Sequence, residues 1–404
     1  MAQKSTVGAH CFPPGSRFSL NTTDGYKCRL GHVGLSLHLI STVVFTKLPV
    51  NIVRTKSDTS VVSFGSARWL GYDAGIPKGL FAFALAGLLA TLAACSSSDP
   101  IRVPLTDQGN IQLPRESVAK LPLFDLLTID SRRGYLYVAH TSNSTVDIVD
   151  VKTKRVTGSI TGVAGVKQIA ITPDPNIIFA SASAAGAVLQ IDVDARKVLA
   201  TIPVDGSPDA IDYDPVHDYV VVCLGGAKKL AAIDRKTLKT VGSISLPGSP
   251  ELVAIDPQTG RAFVAINDQD SVAAIDLSSL QVTSIYKGCD IKAPTGVAYD
   301  PAQARLFVAD RGLVSVIDVL VDRCLGSVDI GNGVDQITIN PRNHHLYTAN
   351  GGSRNLSVID IVSLQPLGEQ GTGPSGDGVA ADPTTSMVYV IVGRAGIIAA
   401  YHDP

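Results

Sequence analysis

Six aspartates recur at intervals of 42 residues: Asp150, Asp192, Asp234, Asp276, Asp318 and Asp360. Each closes a short apolar run, as in Val188-Leu-Gln-Ile-Asp192 and Leu356-Ser-Val-Ile-Asp360. A fixed period of this length marks one supersecondary unit repeated along the chain, and short strands inside it point to the blade of a β-propeller. The architecture alone does not name a function, because one scaffold carries many activities.

The rest of each repeat keeps the same spacing. Turn pairs stand upstream of the aspartates at Asp130-Ser131, Thr172-Pro173, Asp214-Pro215, Asp256-Pro257, Asp300-Pro301, Asn340-Pro341 and Asp382-Pro383. Proline presets the turn dihedral, and a preceding Asp or Asn bonds its own backbone. β-Branched and aromatic strands follow, among them Leu136-Tyr-Val-Ala139, Ala262-Phe-Val-Ala265, Leu306-Phe-Val-Ala309 and Leu346-Tyr-Thr-Ala349. Each repeat reads as strand, turn, strand, loop, strand ending in Asp, tight turn and a weaker fourth strand. The prediction is an all-β, seven-bladed propeller of four-stranded blades over residues 118–404. The six periodic aspartates are expected to be Asx-turn residues between third and fourth strands.

The seventh repeat is short of one strand. The position 42 residues after Asp360 is His402, two residues before the end of the sequence. The N-terminal segment is therefore expected to supply the missing strand and close the ring, which removes free sheet edges. Counting back from Ile160, Ile202 and Ile244 places its apolar residue at Val118.

The elements Leu346-Tyr-Thr-Ala-Asn350 and Val358-Ile-Asp360 resemble the YVTN family of β-propeller repeat proteins, and the likeness runs over residues 118–404. The resemblance implies seven blades and an exported or envelope-associated protein. The sequence departs from it at Ser181-Ala182, Cys223-Leu224 and Val392-Gly393, where the family tends to carry Asn.

A second signal lies further upstream. Lys78, the apolar run Leu80 to Leu92 and the small residues before Cys95 describe a secretory signal over residues 78–94. The run is shorter than the roughly 20 residues a membrane-spanning helix needs. Leu92-Ala-Ala-Cys95 resembles a bacterial lipobox, which implies cleavage before Cys95 and lipid on its thiol. Ser96-Ser-Ser-Asp-Pro100 opens a tether, assigned to residues 95–117. Residues 1–77 fit neither part and are read as an extension from a start site placed too far upstream, with a disordered leader as the alternative. Only Met1 and Met387 occur, so a downstream start would use Val61, Val62 or Leu70.

From Cys95 onward 25 basic residues face 33 acidic ones, a net charge of −8. That balance argues against nucleic-acid binding and a basic membrane face, and leaves the N-terminal lipid as the membrane contact. Cys223 sits in a core strand, while Cys289 and Cys324 lie near fourth strands of neighbouring repeats. Their pairing turns on whether their Cβ atoms face each other.

Function is expected on one face. Inter-blade connectors and the loops between second and third strands share it, and those loops vary, whereas the other face carries short repeated turns. Just before each first strand stand Asp125, Lys167, Asp209, Glu251, Ala293, Asp335 and Asp377. Five carboxylates at one symmetric position could favour a hard cation such as Ca²⁺ or a cationic ligand, the alternative being solvated acids that cap strand ends. His140, Asn267 and Asn350 open variable loops on the same face. His344-His345 falls in a turn on the opposite face. No catalytic motif accompanies them. The preferred reading is an extracytoplasmic, monomeric propeller that binds a small molecule, glycan or envelope protein. A metal-dependent, lactonase-like hydrolase and a structural envelope module are the alternatives.

Overall fold

The second strand of most repeats carries one aromatic residue at its centre, and these side chains define where the cores lie. Tyr137, Phe179, Phe263, Phe307, Tyr347 and Tyr389 are all essentially inaccessible. Each packs against the next repeat: Tyr137 with Ile169 and Ala180, Phe307 with Ile337 and Leu346, Tyr389 with Leu127 and Leu136. Burying such a side chain stabilises by about 1.5–3 kcal/mol. The apolar residues accordingly divide into separate clusters, each lying between two successive repeats.

The computed structural model describes residues 50–54, 60–64, 103–115, 122–374, 376 and 378–404. Residues up to Ala90 form a unit of their own, in which Val50–Arg54 pairs antiparallel with Ser60–Phe64. The second unit holds seven four-stranded antiparallel sheets, the blades of a propeller. Blade 1 consists of Leu127–Asp130, Tyr135–His140, Thr145–Asp150 and Arg155–Thr161. Its second and third strands are buried along almost their whole length. Both sheet faces are covered by neighbouring blades, which is why these strands read as continuous apolar runs rather than alternating ones. The fourth strand lies at the outer edge and alternates.

Blade 7 combines Val379–Asp382, Met387–Val392 and Ile397–His402 with the N-terminal strand Thr106–Gln112. Chain closure by the N-terminal segment is thus observed, but seven residues earlier than the periodicity indicated. Ile111, wholly buried opposite Ile398, takes the role expected of Val118. Val118 itself lies outside the described residues, as do the signal segment 78–94 and Cys95. The closing strand therefore falls inside the stretch read as a tether. The cause is connector length: a long segment follows Leu113, whereas a strict period presumes equal connectors.

Candidate functional site on the connector face

The turn face is fixed by Asp and Asn side-chain oxygens that accept backbone N–H groups. At the ends of first strands, Asp130 accepts from Arg132, Asp214 from Val216, Asp256 from Gln258, Asp300 from Ala302, Asn340 from Arg342 and Asp382 from Thr384, all at 2.9–3.1 Å. The periodic set behaves alike: Asp150 accepts from Thr153, Asp192 from Ala195, Asp276 from Ser278 and Asp318 from Leu320, at 2.8–3.0 Å. Asp234 and Asp360 each accept two such N–H groups, from Lys236 and Thr237 and from Val362 and Ser363. The Thr237 N–H holds the Asp234 carboxyl below its ordinary value, as the Ser278 hydroxyl does for Asp276. The fourth residue after each of these aspartates, from Lys154 to Leu364, has φ between 50° and 59°. The hairpins therefore need a left-handed residue and use no glycine for it.

The opposite face is stitched from connectors to the loops between second and third strands. Leu123 O accepts from Ser142 N, Gly165 O from Ser183 N, Ser249 O from Asn267 N and Gly333 O from Gly351 N, at 2.9–3.1 Å. A loop change is therefore transmitted directly to the adjacent connector.

At the ring position one acid is paired with the lysine. Lys167 Nζ lies 2.8 Å from Asp125 Oδ2, with Asp209 and Asp335 also within its electrostatic reach. Burial opposes the lysine's charge, but these carboxylates outweigh it and hold its pKa above the ordinary lysine value. Glu251 is pushed up by burial and then by Asp209. Asp377 lies outside the described residues. Among the described residues no three His, Cys, Asp or Glu side chains are grouped to hold a metal ion. Of the described ring residues one lysine thus faces four carboxylates, Asp125, Asp209, Glu251 and Asp335. Beside the ring, Gln336 accepts the N–H groups of Leu127 and Val379 and donates to Leu127 O, tying blades 1, 6 and 7 together at 2.9–3.0 Å.

The three loop residues have different fates. His140 is wholly buried, its Nδ1 2.7 Å from Asp147 Oδ2 and its ring 4.2 Å from that of Phe124. Asp147 also accepts from Thr145 and Ser159. This network braces blade 1 from inside. Asn350 is likewise buried and donates to Asn355 Oδ1 and Ser357 Oγ. Asn267 alone of the three reaches a cavity, while its amide holds the carbonyls of Ala293 and Pro294. On the turn face, His345 Nδ1 lies 2.7 Å from Asp403 Oδ2 and ties blade 6 to the chain's last strand.

That cavity, about 340 Å³, opens among blades 4, 5 and 6 and is lined by Asn267, Thr295, Asp310, Arg311, Asn332 and Val334. Its origin is a local break in the repeat. Pro257 and Pro301 are 44 residues apart and Pro301 and Pro341 only 40, although 42 separates the other such prolines. The connector into blade 5 has gained two residues, and the loop Asp310-Arg-Gly312 has lost the 3-10 turn that blade 4 keeps at Asn267–Gln269. A lowered rim beside a thickened connector leaves the hollow. The lengthened connector carries Cys289 near its start, disulfide-bonded to Cys324 with a Cα–Cα distance of 5.5 Å. Asp310 is 3% exposed and accepts the Lys292 N–H at 2.7 Å; burial pushes its carboxyl up. The proline spacing carried this signal, but the aspartate period concealed it because gain and loss cancel between Asp276 and Asp318.

Among solved structures, Kuenenia stuttgartiensis hydrazine synthase is similar, with a TM-score of 0.64 and 18% identity over 71% of this chain and 98% of the matched chain. The likeness establishes a shared propeller fold and nothing finer. No family model matches the sequence, and no curated protein matches it.

Proposed function

We propose that this chain is an extracytoplasmic, lipid-anchored propeller that binds a ligand or an envelope protein through its connector face. The observation that carries the reading is the blade 5 cavity, where the repeat departs from its own pattern on the face that varies most in sequence. A scaffold with uniform turns on one side and a hollow of mixed polar and apolar lining on the other is suited to presenting a binding site on rigid elements. The Cys289–Cys324 bond supports an oxidising compartment, in keeping with the lipobox-like Leu92-Ala-Ala-Cys95.

The test is an intact-mass measurement on native protein extracted from membranes, paired with surface-selective labelling of the connector face before and after exposure to envelope extract. A lipid-modified N-terminus at Cys95 and protection of residues 293–295 and 310–312 are expected. An unmodified chain that stays with the cytosol, or labelling unchanged by any extract, would sink the reading.

One feature favours a structural module instead. Leu320, Val321 and Val362 are 78%, 63% and 53% exposed on the hairpin turns of blades 5 and 6, apolar side chains suited to a protein contact on the turn face. Cross-linking from Val362 in intact cells separates the two readings.

A further inference from the structure

Two consecutive residues of the blade 5 loop, the acid Asp310 and the base Arg311, line the cavity. Asp310 is nearly wholly buried; its carboxylate accepts the Lys292 and Leu313 N–H groups, and the charged groups that act on it are the acids Asp270 and Asp290. The nearby Lys292 ammonium lies against Asp270 at 3.1 Å. Among the described residues no ion pair joins Asp310 to a lysine or arginine. A buried carboxylate without a cation is costly, and one lining a cavity can obtain its countercharge from a ligand.

Arg311 supplies the opposite half. Its side chain is exposed at the cavity rim; it acts on Asp270 at longer range, and among the described residues it forms no ion pair. A guanidinium in that position offers a planar fork of donors matched to a carboxylate. A simple amine would satisfy Asp310 and leave Arg311 unused. A simple acid would set its charge against Asp310, Asp270 and Asp290. A ligand bearing both charges meets both groups, and about 340 Å³ is at the small end of ligand pockets, enough for one compact molecule.

We infer that the cavity is a binding site for a small zwitterion of the α-amino acid class, its ammonium on Asp310 and its carboxylate on Arg311. This rests on the proposed binding role of the connector face and names the ligand class for it.

The experiment is isothermal titration of the full chain, purified in detergent with its disulfide oxidised, against the standard L- and D-amino acids. For any amino acid that binds, the matching 2-hydroxy acid and the matching amine without a carboxylate serve as single-charge controls. At least one amino acid is expected to bind, with each control at least about tenfold weaker, the loss of one charge-assisted hydrogen bond. Asp310→Asn is expected to erase the preference for amino acid over hydroxy acid. Arg311→Gln alters only an exposed side chain, so it leaves folding intact, and it should weaken amino acid and hydroxy acid alike. Absence of binding by every amino acid at millimolar concentration overturns the inference, as does binding that neither substitution changes. If none binds while envelope extract still protects residues 293–295 and 310–312 from labelling, the ligand class alone fails. If protection is absent too, the binding role of the face falls with it.

Discussion

Lys167 donates from Nζ to Asp125 Oδ2 across 2.8 Å, joining blade 2 to blade 1 at the ring position. Because the folded lysine's pKa is raised, its contribution is complete at neutral pH and disappears as the solution passes upward through the lysine range. Lys167→Met should therefore lower stability by about 1 kcal/mol near pH 7, the upper end for a partly exposed pair. The deficit should shrink above the lysine range, as read by urea unfolding at both pH values. Millimolar Ca²⁺ should leave the wild-type melting temperature unchanged; a rise would show that the ring captures the ion despite Lys167.

Asp212 gives a second pH dependence of opposite origin. It sits half-buried on the first strand of blade 3 and accepts the Tyr213 N–H at 2.8 Å. Burial pushes its carboxyl up to about 6, against the pull of backbone donors at Tyr213 and Ile255. The folded protein then holds a proton that the unfolded chain has released, so stability falls as pH rises from the ordinary aspartate value to about 6. Asp212→Asn removes that fall. It should match the wild type below pH ~4 and exceed it by about 1–3 kcal/mol at pH 7. Equal stability at both pH values would show that Asp212 is solvated as an ordinary carboxylate.

The strands and turns were legible because they repeat: a residue seen six times at one spacing defines its role by position, as Asp150 to Asp360 do. What the period could not carry is anything that happens once. The connector ahead of blade 1 moved the closing strand from Val118 to Ile111, and the compensating two-residue changes around Asp310 left the aspartate spacing intact. His140 and Asn350 looked like loop residues because they are polar, yet both end a buried strand, and their partners Asp147 and Ser357 stand on the adjacent third strand. Left-handed φ at residues such as Leu238 and Leu280 was invisible because glycine is the usual sign of it.

Ring closure depends on one buried side chain. Ile111 is wholly inaccessible and pairs with Ile398. Ile111→Asp would bury an unpaired carboxylate and should detach Thr106–Gln112, exposing the edge of Ile397–His402. Rapid amide exchange in residues 397–402 and concentration-dependent association by light scattering are the expected results. A monomer with protected amides there would mean that another segment holds the ring shut.

The disulfide should act locally as well as globally. It closes a span of 35 residues, for which loss of a cross-link costs about 2–4 kcal/mol through chain entropy. The stretch next to Cys289 carries Ala293 and Thr295 into the cavity wall. Replacing both cysteines by serine should lower the urea midpoint and speed amide exchange over residues 288–295 more than in any other connector. Uniform acceleration across the blades would contradict a local role.

Two buried tyrosines at equivalent positions allow the final expectation to be tested within one molecule. Tyr137 in blade 1 and Tyr347 in blade 6 are both wholly inaccessible. Tyr347 Oη donates to Asp403 Oδ2 at 2.6 Å and accepts from Asn343 at 2.9 Å, while among the described residues the Tyr137 hydroxyl has no hydrogen-bond partner. Burial pushes both phenols well above their ordinary pKa, and Asp403 adds to the effect at Tyr347. Removing a satisfied hydroxyl strands its partners, whereas removing an unsatisfied one relieves a desolvation cost. Tyr347→Phe should therefore destabilise by about 1–3 kcal/mol, and Tyr137→Phe should be neutral or stabilise by up to about 1 kcal/mol. The Tyr347 loss should be much smaller in an Asp403→Asn background, because the two residues share one bond. Equal losses at both positions would mean that the Tyr137 hydroxyl is satisfied after all, and additive losses for Tyr347 and Asp403 would mean that the C-terminal aspartate anchors blade 7 through His345 alone.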